Sequence, residues 1–330
     1  MVKKEKQNTG LKQKADLKQE TGLKQKIVVI LGPTASGKTT LGVKLAARLK
    51  GEIISADSRQ VYRGMDIGTG KDLGEYKVGR KKIPYHLIDI IKPNTKFSLA
   101  RYQKLAAKAV LDISARGNLP LVVGGTGLYL QALVENFKLP IGKSDNKQRE
   151  EWEKLGAEKL FTALSQEKPE FAQRINYSDQ RNARRLARYL EIVRSGGDIF
   201  RAGQESLFDA LVIGIDIDDN LMREKIVTRL KKRLDDEDLI GEVQRLKAAG
   251  VSYRRLISFG LEYKFVANFL QGKLTREEME EKLATAIYRF AKRQKTWFKR
   301  WEKQGRKIHW IKSLAEGERM INKFIKKRPH

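Results

Sequence analysis

A glycine-rich segment near the start of the chain carries residue types that bind phosphate. The stretch GPTASGKT follows the apolar run KIVVIL and precedes the helical pattern TTLGVKLAARL. At this spacing, backbone N–H groups of residues 34–39 face a phosphate, and the N-terminus of the following helix favours its negative charge. Lys38 supplies a cation and Thr39 a hydroxyl that can coordinate Mg²⁺, the cofactor that such loops use. The predicted phosphate-binding P-loop consists of Gly32, Pro33, Thr34, Ala35, Ser36, Gly37, Lys38 and Thr39.

An acidic residue and a second glycine-rich turn are expected to face this loop. Asp57 ends the predicted strand GEIISADS, and the carboxyl ends of parallel strands line one crevice. Its carboxylate could bind Mg²⁺ or act as a general base, but an Asp-Ser pair is equally suited to cap a helix. The strand PLVVGG, where an ATPase usually carries an acid, ends in Gly-Gly-Thr instead. The turn GGTGLY would place Thr126 in the crevice opposite Asp57.

The charge of the chain indicates a polyanionic partner. With 68 Lys and Arg against 40 Asp and Glu, the formal net charge is +28, which is typical of proteins that bind nucleic acid. The stretch RFAKRQKTWFKRW, residues 289–301, predicts a helix with an aromatic face and a basic remainder. The basic face could contact phosphates, whereas the tryptophans favour packing in the core.

Composition excludes several other classes of protein. The chain has no cysteine, which rules out disulfides, thiolate metal sites and cysteine nucleophiles, and its three histidines do not favour a histidine metal cluster. It has no apolar run of about 18 residues and no apolar leader, so we expect a cytoplasmic protein without a membrane partner.

Strands alternate with helices over much of the chain, which predicts an α/β fold. The short apolar runs include YHLIDI at 85–90, which we interpret as a strand. The predicted class is a P-loop NTPase-like parallel sheet core with a helical insertion domain and a helical C-terminal part. The predicted segments are a disordered basic tail (1–26), the core with its C-terminal helices (27–137 and 211–312), the helical insertion (138–210) and a basic terminal helix (313–330).

Five motifs in order resemble the tRNA dimethylallyltransferase family, also called tRNA isopentenyltransferases. They are GPTASGKTTL, SADSRQVYRGMDIGTGK, YHLIDI, LPLVVGGTGLYLQAL and AKRQKTWFKRW, and the resemblance runs from about residue 27 to 311. It implies that the loop binds the diphosphate of dimethylallyl diphosphate with Mg²⁺. It further implies transfer of the five-carbon group to the exocyclic N6 amine of the adenine 3′-adjacent to the anticodon. In this scheme Lys38 stabilises the leaving diphosphate, Asp57 accepts the amine proton, and Thr126 orients the adenine or the diphosphate.

The resemblance also assigns tRNA contacts and shows departures from the family pattern. The family's GTAKP motif is GTGKD here, with Gly70 in place of Ala, and its Gly-Tyr pair is Gly260-Leu261. The implied contacts with tRNA are Asp57, Ser58, Arg59, Gln60, Thr126, Arg149, Arg184, Arg185, Leu186, Ala187, Arg188, Lys292, Arg293, Gln294, Lys295, Thr296, Trp297, Phe298 and Lys299.

Three other functions are compatible with parts of the pattern. A small-molecule P-loop kinase would use the loop for ATP, and an isopentenyltransferase acting on free adenine nucleotides would share the chemistry, but neither needs a charge of +28. A non-enzymatic RNA-binding protein would leave the P-loop and Asp57 without a role. We therefore favour the tRNA-modifying enzyme, acting as a monomer without an obligate protein partner. The ATP-binding label common in the family is then a consequence of the motif alone.

Overall fold

The computed structural model describes residues 24–139, 146–196 and 205–327. The described residues divide into two compact units, one of residues 24–136 with 206–327 and the other of residues 137–139, 146–196 and 205. The predicted basic tail lies outside the described residues except for its last three positions. Of these, Gln25 and Lys26 belong to the first strand, so the ordered core begins two residues before the predicted boundary.

A six-stranded parallel sheet forms the centre of the larger unit, which confirms the predicted α/β class. With a separate two-stranded hairpin, the described part of the unit has eight strands: β1 (Gln25–Leu31), β2 (Gly51–Ser55), β3 (Lys77–Val78), β4 (Lys81–Lys82), β5 (Tyr85–His86), β6 (Leu119–Gly124), β7 (Phe208–Ile215) and β8 (His309–Ile311). The sheet order is β5-β2-β6-β1-β7-β8, and β3 and β4 pair separately as a short antiparallel hairpin. In the central register Val28 faces Leu121 of β6 and Leu211 of β7.

Helices follow most of the strands. They are α1 (Lys38–Arg48), α2 (Leu99–Ala115), α3 (Gly127–Val134), α4 (Asn146–Lys154), α5 (Ala157–Glu167), α6 (Pro169–Gln173), α7 (Tyr177–Gln180), α8 (Ala183–Arg194), α9 (Asp219–Asp235), α10 (Leu239–Ala248), α11 (Tyr253–Ser258), α12 (Leu261–Leu270), α13 (Arg276–Lys303) and α14 (Leu314–Lys326). In the described part of the chain, no helix is both long enough and apolar enough to cross a bilayer.

Strand β1 is buried on both faces because helices cover both sides of the sheet. Ile27, Val29 and Leu31 pack against residues of α2, α3 and α13 on one face. Val28 and Ile30 pack against α1 and α14 on the other face. This explains the continuous apolar run, since no residue of the strand beyond Lys26 faces water. The strand therefore fixes the start of the glycine-rich loop from both sides.

Helices α9 to α13 enclose a separate apolar cluster within the larger unit. It includes Met222, Val243, Tyr263 and Leu283, together with Val61 and Met65 from the segment that follows β2. The longest helix, α13, begins with a capping box in which Thr275 and Glu278 bond each other's backbone N–H groups. It contributes to this cluster at its N-terminal half and to the sheet core at its C-terminal half.

The smaller unit consists of helices α4 to α8 around its own small core. Leu160 and Leu164 of α5 and Leu186 and Leu190 of α8 are buried there with Phe171. The described residues of this unit contain no strand, and β7 begins at Phe208. The strand therefore starts inside the segment predicted as the insertion (138–210).

The predicted strand at 85–90 is wrong beyond its first two residues. Tyr85 and His86 pair with β2, but Leu87 and Asp89 adopt left-handed backbone conformations with φ of 64° and 55°. These conformations break the extended chain. Asp89 instead turns to the buried Lys71 ammonium, which also binds Asp66 and the Tyr62 carbonyl oxygen. The need to pair a buried cation overrides the strand pattern here.

Candidate active site

The glycine-rich loop has the backbone of an anion-binding loop. Between Leu31 and the start of α1 at Lys38, Ala35 and Gly37 take positive φ angles of 62° and 81°. The Lys38 ammonium donates to the Pro33 carbonyl oxygen at 3.2 Å. Within the described residues, the buried Ser36 hydroxyl has no hydrogen-bond partner. A polar atom left unsatisfied beside a helix N-terminus fits a loop whose partner is a bound anion.

Cationic and anionic groups converge on Lys38. Burial lowers its pKa to about 8, opposed by the nearby Asp57 carboxylate, while the Arg229 guanidinium of α9 lowers it further. Arg229 also pairs with Asp72 at 2.5 Å and is about one-third exposed. Two cations beside an anion-binding loop are suited to the two charged groups of a diphosphate.

Asp57 is held by one of its two oxygens. Its Oδ1 accepts the backbone N–H of Arg59 at 2.8 Å and that of Gln60 at 3.4 Å. Gln60 is fixed in turn by Ser55 at 2.8 Å and by the Gly70 carbonyl oxygen at 3.1 Å. The described residues donate no hydrogen bond to Oδ2, so the carboxylate both caps its own turn and leaves an oxygen available as a proton acceptor.

The second glycine-rich turn lies next to the Asp57 loop. The Thr126 N–H donates to the Ala56 carbonyl oxygen at 3.1 Å, and Thr126 Oγ1 accepts the Ser58 N–H at 3.2 Å. Gly124 is required here because a Cβ would lie 2.3 Å from the Ala56 oxygen. The structure therefore brings Thr126 to the loop as the sequence suggested, while its part in orienting a substrate stays a prediction.

Gln294 of α13 joins the P-loop to the second glycine turn. Its Oε1 accepts the Thr34 N–H at 2.8 Å, and its Nε2 donates to the Gly125 carbonyl oxygen at 2.8 Å. The residue is 7% exposed. A Cβ at Gly125 would come within 2.3 Å of Gln294 Nε2. The long helix therefore supports the phosphate-binding loop directly.

The donor atoms at the loop fit Mg²⁺ bound together with a phosphate. Thr39 stands in the first turn of α1, and no hydrogen bond from the described residues occupies its hydroxyl, whereas the Thr40 hydroxyl donates to Glu75 at 3.0 Å. Magnesium prefers hard oxygen ligands and is usually held by few protein groups plus phosphates and water. Among the described residues no three His, Asp or Glu side chains cluster as ligands. The Thr39 hydroxyl is a group that would suit the ion together with substrate phosphates.

Comparisons with known proteins decide the family. A model of the IPP transferase family matches residues 60–301, and one of isopentenyl transferases matches residues 25–91. The tRNA dimethylallyltransferase 1 of Syntrophus aciditrophicus is 45% identical over 287 residues, which cover 86% of this chain and 93% of the relative. The chain belongs to the tRNA dimethylallyltransferase family. The tRNA dimethylallyltransferase 2 of Syntrophotalea carbinolica is 47% identical over 291 residues, covering 88% of this chain and 95% of that protein.

Solved structures agree with this membership of the tRNA dimethylallyltransferase family. The full-length tRNA isopentenylpyrophosphate transferase of Bacillus halodurans matches with a TM-score of 0.65 at 36% identity, covering 92% of this chain and 96% of that one. A eukaryotic dimethylallyltransferase acting on tRNA matches with a TM-score of 0.76 at 26% identity, covering 92% and 80%. The resemblance found in the sequence is therefore confirmed.

The implied tRNA contacts on α13 divide into exposed and buried positions. Lys292, Arg293, Thr296 and Lys299 are exposed. The other four positions have other roles within the protein, as their burial and partners indicate. Gln294 supports the P-loop, Lys295 pairs with Asp216 and Asp219, Trp297 packs on Gly127, and Phe298 is fully buried in the sheet core.

Burial separates the positions of this stretch. Gln294 and Phe298 are buried among protein atoms, so their side chains are not exposed for a tRNA contact, and the contact assigned to them stays a prediction. Lys292 is exposed yet paired with Asp219 at 2.6 Å, so a phosphate would have to compete with that carboxylate. Arg293 and Lys299 are the exposed cations of this stretch best placed for such a contact.

In the smaller unit, the five residues of RRLAR divide in the same way. Leu186 and Ala187 are fully buried in the core of that unit, so their side chains are not exposed, and the contact assigned to them stays a prediction. Arg185 pairs with Asp179, and Arg188 and Arg149 both pair with Glu191. Arg184 is exposed on the surface of α8. The four arginines remain predicted contacts.

Sequence reasoning missed several groups that the fold brings to the Asp57 loop. Arg229 of α9 pairs with Asp72 and acts electrostatically on Lys38, and Glu262 of α12 pairs with Arg59 at 2.6 Å. Glu242 of α10 accepts the N–H groups of residues 66–68 at 2.7 to 3.0 Å and so fixes the segment before Gly70. These residues lie 157 to 203 positions from the residues that they contact, and no local motif marks them.

An open cleft of about 820 Å³ lies beside the Asp57 loop. Phe259, Phe265 and Phe290 contribute its aromatic wall, while Arg59 and Arg293 contribute cations. Aromatic faces next to cations are what proteins use to bind unpaired bases and their phosphates. The cleft has residue types of this kind next to Asp57, the candidate proton acceptor.

Proposed function

We propose that this protein transfers a dimethylallyl group from dimethylallyl diphosphate to the exocyclic N6 amine of the adenine 3′-adjacent to the anticodon in tRNA. The observation that carries the proposal is the convergence of Lys38 and Asp57 at one edge of the sheet. It gives an anion site and a proton acceptor side by side in a chain of the tRNA dimethylallyltransferase family. The net charge of +28 and the aromatic cleft support a nucleic-acid substrate.

The reaction forms a bond between N6 and the allylic carbon and breaks the bond from that carbon to the diphosphate oxygen. An adenine amine is a weak nucleophile, so departure of the diphosphate must be assisted. Lys38, Arg229 and the N–H groups of the P-loop would bind the diphosphate and stabilise its developing charge. When bound, Mg²⁺ held by Thr39 adds further charge neutralisation. Asp57 Oδ2 takes the N6 proton.

The target base must leave the anticodon-loop stack to reach this crevice, as in other enzymes that modify bases. The cleft beside Ser58 and Arg59 would receive unpaired nucleotides next to it. The exposed cations Arg293 and Lys299 of α13 would hold phosphates.

The test is transfer of label from dimethylallyl diphosphate to bulk tRNA with Mg²⁺ and without ATP. We expect label in RNA that nucleoside analysis identifies as N6-dimethylallyladenosine. Lys38→Ala should abolish transfer without unfolding the protein, because the loop then lacks its cation. Absence of RNA labelling by the folded wild type, or a stoichiometric requirement for ATP hydrolysis, would refute the proposal.

A further inference from the structure

The Asp57 loop is tied to a buried carboxylate from a distant part of the chain. Arg59 Nη1 donates to Glu262 Oε2 at 2.6 Å, and Glu262 lies in the first turn of α12. Arg233 of α9 donates to Glu262 Oε1 at 3.4 Å. The Glu262 side chain is 4% exposed, and those of Arg59 and Arg233 are 16% and 8% exposed. One carboxylate therefore lies between two guanidinium groups, largely shielded from water.

Arg59 connects this buried carboxylate to the candidate base. Its guanidinium binds Glu262, while its own backbone N–H makes the shorter of the two hydrogen bonds to Asp57 Oδ1, at 2.8 Å against 3.4 Å from Gln60. The residue whose side chain is fixed by Glu262 is therefore the residue whose N–H orients the carboxylate. Misplacing a catalytic group by about 1 Å can cost on the order of a hundredfold in rate.

The charges within the cluster favour a permanent ion pair. Burial acts to lower the pKa of Arg59, but the Glu262 carboxylate raises it above its usual value. Burial acts to raise the pKa of Glu262, yet Arg59 and Arg233 bring it below its usual value. Both partners therefore stay charged, and the guanidinium is held in one place.

Two departures from the family pattern border this cluster. At Gly70, which has a φ of +63°, a Cβ would lie 2.1 Å from Arg233 Nη2 and 2.4 Å from Arg229 Nη2. The alanine of the family motif would therefore exclude both guanidinium groups from their present positions. The second departure, Leu261 after Gly260, immediately precedes Glu262. The first change is therefore close to the cluster in space, and the second is next to Glu262 in the sequence.

We propose that Glu262 is a positioning residue for the transfer reaction, holding Arg59 and through it the Asp57 carboxylate in the orientation that accepts the N6 proton. The inference rests on the proposed function. The proposed role differs from that of an ion pair that only stabilises the fold. Buried ion pairs often add little to stability, while they fix the geometry of the groups that they join.

The test compares single-turnover transfer at saturating tRNA and dimethylallyl diphosphate in wild type and variants. Glu262→Gln keeps the shape and removes the charge. Glu262→Gln with Arg233→Gln returns the cluster to its original net charge of +1, since one guanidinium remains where two faced one carboxylate, and so protects folding. Arg59→Met, alone and combined with Glu262→Gln, tests whether Glu262 affects the transfer rate through Arg59.

The control is Glu52→Gln, a second buried carboxylate that accepts from Arg116 at 2.8 Å at the opposite end of β2 from the Asp57 loop. It should lower thermal stability and leave the transfer rate within about twofold of wild type. Glu262→Gln should slow transfer about 10- to 100-fold with both KM values changed less than about threefold. The double Glu262/Arg233 variant should stay slow, and Glu262→Gln should add no further loss in the Arg59→Met background.

Several results would contradict the positioning role of Glu262. A folded Glu262/Arg233 double variant with the wild-type rate would overturn the inference, because charge imbalance alone would then explain the single variant. A full further loss from Glu262→Gln in the Arg59→Met background would also overturn it. If the wild type transfers nothing to tRNA, the proposed function fails, whereas wild-type transfer with unaffected variants removes the positioning role alone.

Discussion

Replacing Gln294 by leucine should weaken diphosphate binding while leaving the exposed basic face of the same helix intact. Leucine fills a similar volume but cannot bond the Thr34 N–H or the Gly125 carbonyl oxygen, each now 2.8 Å from Gln294. A buried group left without a partner costs about 1–3 kcal/mol. Two groups lose their partner, which gives about 2–6 kcal/mol in total. Because Thr34 is half-buried and water can reach it, we expect a total near the lower end of that range, about 2–3 kcal/mol.

In the variant, binding of the diphosphate must supply this free energy to hold the loop in its binding conformation, so affinity falls. A loss of about 2–3 kcal/mol corresponds to about 30- to 150-fold weaker binding of dimethylallyl diphosphate. The assay is isothermal titration calorimetry with dimethylallyl diphosphate and Mg²⁺, followed by steady-state transfer at varied tRNA. The control is Thr296→Val, which removes an exposed hydroxyl two positions along α13.

We expect Gln294→Leu to change the Kd of dimethylallyl diphosphate and to leave the KM for tRNA near its wild-type value. If a folded Gln294→Leu protein binds dimethylallyl diphosphate normally but shows a raised KM for tRNA, the supporting role is wrong. The position would then contact tRNA, as the family motif implied.

Three further perturbations test the rest of the site. Asp57→Asn should slow single-turnover transfer by about 10²–10⁴ with little change in tRNA binding, and near-native turnover would show that another group takes the proton. Because burial lowers the pKa of Lys38 to about 8, its protonated fraction falls about 25-fold between about pH 7.5 and about pH 9.5. Affinity for dimethylallyl diphosphate in metal-free buffer should fall with it, whereas Lys38→Arg should bind with little dependence on pH; a flat wild-type profile would count against the Lys38 contact. Charge reversal at Arg293 and Lys299 should reduce the log–log salt slope of tRNA binding by about 1.4–1.8, and an equal effect from reversing two exposed lysines of α2 would indicate a general charge effect.

The P-loop could be predicted because its determinants are consecutive in the chain. Strand β1, the glycine turn and Lys38 lie within 14 residues, and each has a local cause in apolar run, backbone freedom or helix start. The alternation of strands and helices predicted the α/β class for the same reason. Asp57 followed from the rule that parallel strands present their carboxyl ends at one edge.

The groups that support the loops could not be predicted from local pattern. In the sequence, Gln294 is one polar residue within a basic stretch. Its burial depends on how α13 packs across both glycine turns. Arg229 and Glu262 lie on helices whose apolar positions predict packing and give no sign of which polar side chain points toward the site. Only the tertiary arrangement decides which charges meet.

The same limit explains the error in secondary structure and the mixed burial of the predicted tRNA contacts. The pattern YHLIDI is apolar enough for a strand, but Asp89 leaves the strand to pair with the buried Lys71, which lies 18 residues away in the sequence. In RRLAR and KRQKTWFK some side chains of the helix face the core, so a motif of consecutive residues includes buried side chains such as Leu186 and Phe298. Helical periodicity separates the two groups once the helix phase is known.

Competition between an anticodon stem-loop and free AMP for labelled dimethylallyl diphosphate decides whether tRNA is the substrate. The stem-loop carries an adenine 3′-adjacent to the anticodon, and a second stem-loop carries guanine there. The account predicts N6-dimethylallyladenosine at that adenine, no label in the guanine stem-loop and negligible label in AMP. Comparable transfer to AMP, or equal labelling of the guanine stem-loop, would contradict it.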